Sequence, residues 1–509
     1  MIRSILSVGG WTLVSRATGF ARDVVMAAVM GAGPVADAFV VAFRLPNHFR
    51  AIFGEGAFNT AFVPSYAGLA EAGEPGAAQA FADRVFSLML VVQAALLALA
   101  LPLMPLVVRA LAPGFSEDPE RFELAVSLTR ITFPYLLFMT LVTLTSGVLN
   151  AHRRFAAAAG APVLLNLAML AALALAFLFP NAAYAAAWGV AVSGVLQFGL
   201  VWWAARRAGV APRLARPTLR DPAMGRFFRV LGPAVIGAAG FQIATFADTI
   251  IASLLPTGAV SALYYADRLY QLPFGVIAIA AGTVLLPEMS RRIAAGDVAG
   301  AHAAQNRAAG FSLALSAPFT VAFLILPGLI MAALFQRGAF GAEDAARAAD
   351  VLAAYGLALP AVVLVRSAVA SFYARQDTTT PLWASLTAIA VNVALKLVLT
   401  GPYGVTGLAL ATAISQWVNL ALLVALAWRR GWTAPGRTLG FTILGVALAC
   451  AGLAGVAIYG LPLAERLVPA LPHGREIAVL GLIGLAGAAV YGALLVGLLH
   501  LLGLRLRRR

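Results

Sequence analysis

The chain reads as an all-α polytopic membrane protein, and three observations predict this. Of its 509 residues 61% are hydrophobic and only 11% charged, with a mean hydropathy of +0.90, far from the composition of a soluble domain. Apolar runs of about 20 residues, the length that crosses a bilayer as a helix, recur along the whole sequence. The arginines behind the net charge of +15 gather in short connections between these runs, as topology signals do. No basic stripe with interleaved aromatics appears, which argues against nucleic acid.

Fourteen spans are expected, near 5–30, 35–66, 82–108, 123–150, 157–180, 183–205, 227–255, 258–290, 308–335, 349–374, 381–399, 404–428, 438–461 and 477–503. Arg3 and the short apolar stretch after it superficially suggest a signal peptide. Arg16 interrupts the run and apolar character resumes after Asp23, so the segment reads as a retained first span. An even count puts both termini on one side. The even-to-odd connections and the termini hold most of the loop arginines, including Arg153, Arg154, Arg206, Arg429, Arg430 and Arg505 to Arg509, so this side is expected to be cytoplasmic.

An internal repeat supports the count. ADAFVVAFRLPN in the second span resembles SALYYADRLYQLP in the eighth, at an offset of about 224 residues that pairs Arg44 with Arg268. The expected organisation is an N-terminal lobe (1–207), a cytoplasmic linker (208–226), a C-terminal lobe related by a pseudo-twofold axis (227–430), and an accessory helix pair with a basic tail (431–509). Parallel repeats of this kind place a substrate site between lobes.

The first two spans carry Arg16, Arg22, Asp23, Asp37, Arg44, Arg50 and Glu55. Each charge at mid-membrane costs roughly 2.5 to 3.5 kcal/mol on insertion scales, so a cluster of them is expected to line a water-filled cavity. Helical spacing puts Arg16 and Asp23 on one stripe, with Arg22 roughly 120° away. Asp37 and Arg44 share a face. Pro46 then removes a backbone donor and frees a carbonyl, which is expected to break the second span. Asn47 and Arg50 follow, and Gly54-Glu55-Gly56 places a carboxylate between hinge-capable glycines. Arg16, Arg22, Arg44, Arg50 and Arg268 outnumber the nearby acids Asp23, Asp37, Glu55 and Asp267 as an array of planar forks. Such forks bind phosphate oxygens bidentately, which favours an anionic ligand with diphosphate a good candidate.

A second polar constellation joins Asp248, Asn392, Lys396 and Thr412; Lys396 is the sole lysine of the chain. It reads either as a site coupling to a monovalent ion or as a structural Asp248–Lys396 pair, because an ammonium competes with Na⁺ for the same carboxylate. Arg130 and Arg366 read as packing or snorkelling residues. GAGPVA at 31–36 has dinucleotide-fingerprint letters but no preceding strand. With its lone lysine in VALKLVL the chain has no Walker A loop, and its histidines, His48 among them, show no metal-ligand spacing and read as solvated or interfacial. Cys450 sits inside an apolar run, so no intramolecular disulfide can form. Neither a catalytic cofactor nor a metal is expected.

The stretches LVSRATGFARD (13–23), ADAFVVAFRLPN (36–47), FRAIFGEGAFNTAFVP (49–64), ALYYADRLYQLPFGVIAIAAGTVLLP (262–287) and SFYARQDTTTP (371–381) strongly resemble the MurJ/MviN family. These are bacterial lipid II flippases within the multidrug/oligosaccharidyl-lipid/polysaccharide exporter superfamily. The resemblance implies a central cationic cavity, a groove near the last two spans for the polyprenyl tail, and peptidoglycan precursor transport across the bacterial inner membrane by alternating access, without covalent chemistry. Residue by residue it implies substrate contacts at Ser15, Arg16, Arg22, Asn47, Arg50 and Arg268. Gating roles fall on Asp23, Asp37, Pro46, Gly54, Glu55, Gly56 and Asp267. Ala51 stands where family members often carry a second basic residue, and Lys396 where some relatives place a carboxylate of a sodium site. Lipid II and membrane lipids are the implied partners, with peptidoglycan synthases as candidates. The rivals are an exporter of drugs or of another polyprenyl-diphosphate glycan, and a polytopic glycan-transferring enzyme. The enzyme would need an acidic residue in a substantial outer loop, and the outer loops are short.

Overall fold

A computed structural model describes residues 2–50, 58–72, 76–216, 222–468 and 474–501, and among them no strand occurs. The helices α1 (Ile2–Met30), α2 (Pro34–Arg50), α3 (Phe58–Glu71), α4 (Ala77–Ala100), α5 (Met104–Leu111), α6 (Pro119–Thr132), α7 (Tyr135–Ala151), α8 (Ala156–Ala174), α9 (Ala182–Arg207) and α10 (Pro222–Ser253) come first. They are followed by α11 (Ala259–Ala294), α12 (Val298–Ile325), α13 (Pro327–Phe335), α14 (Ala342–Tyr373), α15 (Thr379–Arg429), α16 (Arg437–Leu467) and α17 (Arg475–Leu501). Each of the fourteen expected windows holds helix. By length and composition, nine stretches among the described residues are long and apolar enough to cross a membrane.

Proline and glycine account for most departures from one helix per window. The fourth window is divided into α6 and α7 at Phe133–Pro134, and the ninth into α12 and α13 just ahead of Pro327. Two windows merge into α15, which kinks at Gly404 with φ 54° and ψ −135°, a conformation open to glycine and strained for other residues. The second window becomes α2 and α3. Gly54, Glu55 and Gly56 lie between them, outside the described residues.

The chain forms two compact units, Met1–Ser261 and Ala262–Arg509. Internal repetition puts 227–261 in the C-terminal lobe, whereas packing puts it in the first unit. The reason is α10: its Phe227 meets Phe58, Phe62 and Phe81 at ring-centroid distances of 5.7, 6.5 and 6.0 Å. In the same unit α8 and α9 approach closely because Gly189 faces Met169 and Ala172, where a Cβ would lie 2.9 Å from the Met169 backbone. Within the second unit, the Tyr491 hydroxyl of α17 donates to the Ala314 carbonyl of α12 at 2.7 Å. Large apolar side chains such as Leu13, Phe177, Leu397 and Leu485 are exposed, as lipid rather than water requires.

Candidate functional site

α1 carries the first cationic group into apolar surroundings. The Arg22 side chain is buried and donates through Nε and Nη2 to Asp23 Oδ1 at 3.0 and 2.7 Å, and through Nη1 to Asn166 Oδ1 at 2.9 Å. Its guanidinium carbon also lies 5.6 Å from the Phe43 ring centroid. Helix-neighbour geometry places residues 22 and 23 on different faces, yet the long arginine side chain wraps round to its neighbour. Asn166, on α8, turns its amide nitrogen to the Ser15 carbonyl at 2.9 Å and the Thr18 hydroxyl at 3.1 Å. It therefore fixes Arg22 and α1 together. Arg16 is half-buried one and a half turns before Arg22.

α2 does not break at Pro46. The missing N–H leaves the Ala42 carbonyl without its helical donor, and the buried Thr132 hydroxyl on α6 donates to it at 2.8 Å. The freed carbonyl is thus satisfied by a neighbouring helix, and α2 continues to Arg50. Thr132→Val should leave that carbonyl unsatisfied and cost about 1 to 3 kcal/mol. Thermal unfolding of the detergent-solubilised variant, compared with Thr132→Ser, checks this; serine should keep most of the stability. Further along, Asn47 donates to the Phe43 carbonyl at 3.0 Å and accepts from Arg50 Nε at 3.4 Å, so Asn47 and Arg50 form a local pair. Arg44 reaches Thr249 on α10 at 3.1 Å, next to half-buried Asp248. His48 is buried rather than solvated, stacked 4.5 Å from Phe246 with Nδ1 2.9 Å from Gln242 Oε1.

Asp37 is fully buried, and its partners lie on other helices. Its Oδ2 accepts from Arg121 Nη2 at 2.9 Å and the Gly258 amide at 2.8 Å, and its Oδ1 from the Ser261 amide and hydroxyl at 2.8 and 2.7 Å. Helical spacing put Asp37 on one face with Arg44. The structure instead pairs it with Arg121 and the first turn of α11, where unsatisfied amides and the helix dipole favour a carboxylate. Arg121 is held from its other face by Phe115, 3.7 Å from the guanidinium carbon. Nearby, the Gly114 amide donates to Ser253 Oγ at 3.2 Å, and a Cβ on Gly114 would overlap the Ser253 carbonyl oxygen. Sequence reasoning missed both Arg121 and Asn166; the one available signal was a polar residue inside or at the edge of an apolar window.

In the second unit Arg268 is half-buried, its guanidinium carbon 4.6 Å from the Tyr264 ring centroid, and Asp267 accepts from Gln271 one turn on. The Asn392 amide donates to Thr412 Oγ1 at 3.3 Å and Ser415 Oγ at 3.1 Å, while Lys396, one turn along the same face, is fully buried. Of the expected constellation the described bonds join Asn392 to Thr412, with Ser415 beside them.

SFYARQDTTTP has a structural explanation. Asp377 accepts from the Thr380 amide at 2.9 Å, the Thr380 hydroxyl at 2.7 Å and Arg430 at 2.6 Å, tying the start of α15 to the chain leaving it. The Thr380 amide and hydroxyl, with Arg430 beside them, hold the Asp377 carboxyl below its ordinary value of 3.8. A depressed carboxyl pKa stabilises the fold at neutral pH, and that contribution disappears as pH falls from about 4 through the folded-state value. Asp377→Asn should therefore lower thermal stability at pH 7, and its difference from wild type should shrink as both are measured down to pH 3.

With the geometry in place, comparison locates the chain among known proteins. The profile of the family described as Lipid II flippase MurJ matches residues 26–468. A probable lipid II flippase MurJ of Rhizobium meliloti (strain 1021) is 44% identical over 439 residues, 85% of this chain and 82% of the relative. One of Rhizobium tropici is 41% identical over 497 residues, 95% and 91% of the two chains. A solved lipid II flippase MurJ in an inward closed conformation superposes with a TM-score of 0.80 at 24% identity, covering 96% of this chain and 98% of that one. An inward-facing multidrug resistance MATE transporter gives 0.68 at 16% identity over 82% and 94%. At these identities the two structures speak to the fold alone.

Proposed function

Because the chain belongs to the lipid II flippase MurJ family, we propose that it moves lipid II, a polyprenyl-diphosphate disaccharide-pentapeptide, from the inner to the outer leaflet of the bacterial cytoplasmic membrane. The protein spans the membrane many times, and both termini are assigned to the cytoplasmic side by the arginine distribution. The observation that carries the reading is Arg22, a guanidinium held inside an apolar helical unit by Asp23 and Asn166. A buried charge so carefully supported fits a group that must meet a phosphate at membrane depth. Arg22, Arg50 and Arg268 supply forks for the diphosphate and Arg16 supports them. In the present conformation Asp23 occupies Arg22, so loading exchanges one anion for another.

Asp37 acts on the opposite side. The short connections before α2, before α6 and before α11 all fall on the outer face in this topology, and Asp37 binds them together. We assign it to an outer clasp that must open for release of the headgroup. Transport of fluorescent lipid II into a protease- and quencher-protected leaflet of proteoliposomes tests the function. Transport that needs the diphosphate supports it; transport of cationic drugs without lipid II transport favours the exporter reading.

Coupling to a monovalent ion or to the membrane potential is a separate proposal for Asp248, Asn392, Lys396 and Thr412. The buried Lys396 ammonium supports a structural reading, in which it fills the place a cation would take. Wild-type thermal stability should then be the same in sodium and choline salts at equal ionic strength. A sodium-specific rise would reverse this assignment.

A further inference from the structure

On the outside of the first unit, α1, α8 and α9 enclose an open cleft of about 800 Å³. Leu164 and Leu167 of α8 give it an aliphatic wall, and Trp11 of α1 and Trp203 of α9 also line it, both exposed. Arg153 and Arg154 from the α7–α8 turn and Arg207 at the end of α9 supply its polar groups, and no acidic residue is among its lining within the described residues. The Arg207 guanidinium carbon lies 4.0 Å from the Trp203 ring centroid.

The backbone of the turn adds an independent observation. Arg153 has φ 58°, in the left-handed region where a helix-ending residue is usually glycine. The following Arg154 amide closes the helix end onto the Leu149 carbonyl at 2.9 Å. A bulky cationic side chain standing where glycine is the usual residue points to a use for that side chain. The neighbouring cleft on the other side of α9 makes the contrast. It has an equivalent tryptophan and arginine, Trp202 and Arg206, but Pro212 and Leu214 of the next segment form part of its lining. That segment is pinned by Asp83, which accepts from the Arg213 amide at 2.7 Å. That second cleft is roofed by its own chain, whereas among the described residues the first is lined only from α1, α7, the α7–α8 turn, α8 and α9.

We propose that the α1–α8–α9 cleft is a binding site for an anionic phospholipid of the cytoplasmic leaflet, with the phosphodiester against Arg153, Arg154 and Arg207 and one acyl chain along Leu164 and Leu167. The inference rests on the membrane orientation proposed above, which puts these arginines at the cytoplasmic interface. Three cationic groups with no carboxylate among the described lining complement an anion, the Trp203 ring against Arg207 suits the headgroup level, and the aliphatic wall suits a hydrocarbon tail. The occupant assigned is a bulk lipid, and binding of the transported substrate in its place is an outcome of the test.

The test is native mass spectrometry of the full-length protein in detergent, offered phosphatidylglycerol and phosphatidylethanolamine with the same acyl chains. Wild type should retain phosphatidylglycerol preferentially. Combined Arg153→Gln, Arg154→Gln and Arg207→Gln should weaken retention by about a hundredfold, from a severalfold contribution per interfacial arginine. The combination Arg291→Gln, Arg429→Gln and Arg437→Gln removes as many exposed charges elsewhere and should bind as wild type does. Gly160→Leu keeps all three cleft arginines; its Cβ would stand 3.4 Å from the Trp11 ring, so the larger side chain should fill the cleft and also displace the lipid. Equal losses in the two arginine combinations, or wild-type retention in both cleft variants, would overturn the proposal. So would displacement of phosphatidylglycerol by equimolar lipid II. The readout does not involve flipping, so failure of the transport function would leave these outcomes unchanged, and loss of lipid retention would leave the transport reading intact.

Discussion

Asp37→Ala is expected to destabilise the folded protein by about 3 to 5 kcal/mol, the cost of leaving one partner of a buried ion pair behind. The Arg121 and Asp37 side chains are 5% and 0% exposed, so water cannot replace the lost carboxylate. Two backbone amides, Gly258 and Ser261, lose their acceptor at the same time. A second change, Arg121→Leu, should recover much of the stability, since leucine can pack on Phe115 without a charge. The double variant should nevertheless flip poorly, because an outer clasp built from charge has become one that cannot be exchanged for water. Thermal unfolding and lipid II transport on the single and double variants separate the two effects. A fully active double variant would reduce Asp37 to a structural residue. Gly114→Ala presses on the same region from another side, where its Cβ meets the Ser253 carbonyl, and should shift accessibility labelling toward the outer face.

The second large effect is at Arg22. Arg22→Ala should abolish complementation of a depletion strain, and because it takes the guanidinium away from the buried Asp23 carboxylate it should also lower thermal stability. It removes a charge-assisted phosphate contact of roughly 1.5 to 3 kcal/mol, about ten- to a hundredfold in affinity. Arg22→Lys should also be impaired, because an ammonium cannot reproduce the fork that meets Asp23 through two nitrogens and Asn166 through a third. Asn166→Leu leaves the guanidinium in place but frees it from α8, so activity should fall less than in Arg22→Ala. Normal growth on Arg22→Ala at wild-type expression would remove Arg22 from the site.

Much of this was legible in the chain because lipid imposes strict rules. Runs of the right length became helices, and Gly404, Pro134 and Pro327 mark interruptions at or next to themselves. Local spacing placed Asn392 and Lys396 one turn apart on one helix face; that Asn47 accepts from Arg50 is visible only in the structure. Partners distant in sequence were not legible. Asp37 and Arg121 are 84 residues apart and Arg22 and Asn166 are 144 apart, and neither spacing nor composition selects among several arginines for one carboxylate. Pro46 shows the same limit in reverse. Its effect on the backbone was correctly placed, but the break did not follow, because Thr132 on another helix satisfies the carbonyl.

The most direct test of lipid II translocation is depletion of the protein in its own cells, followed by measurement of lipid II and of the accessibility of its labelled headgroup from outside. Lipid II should accumulate while the fraction reachable at the outer face falls. Accumulation with unchanged outer accessibility, or no accumulation at all, would contradict the account.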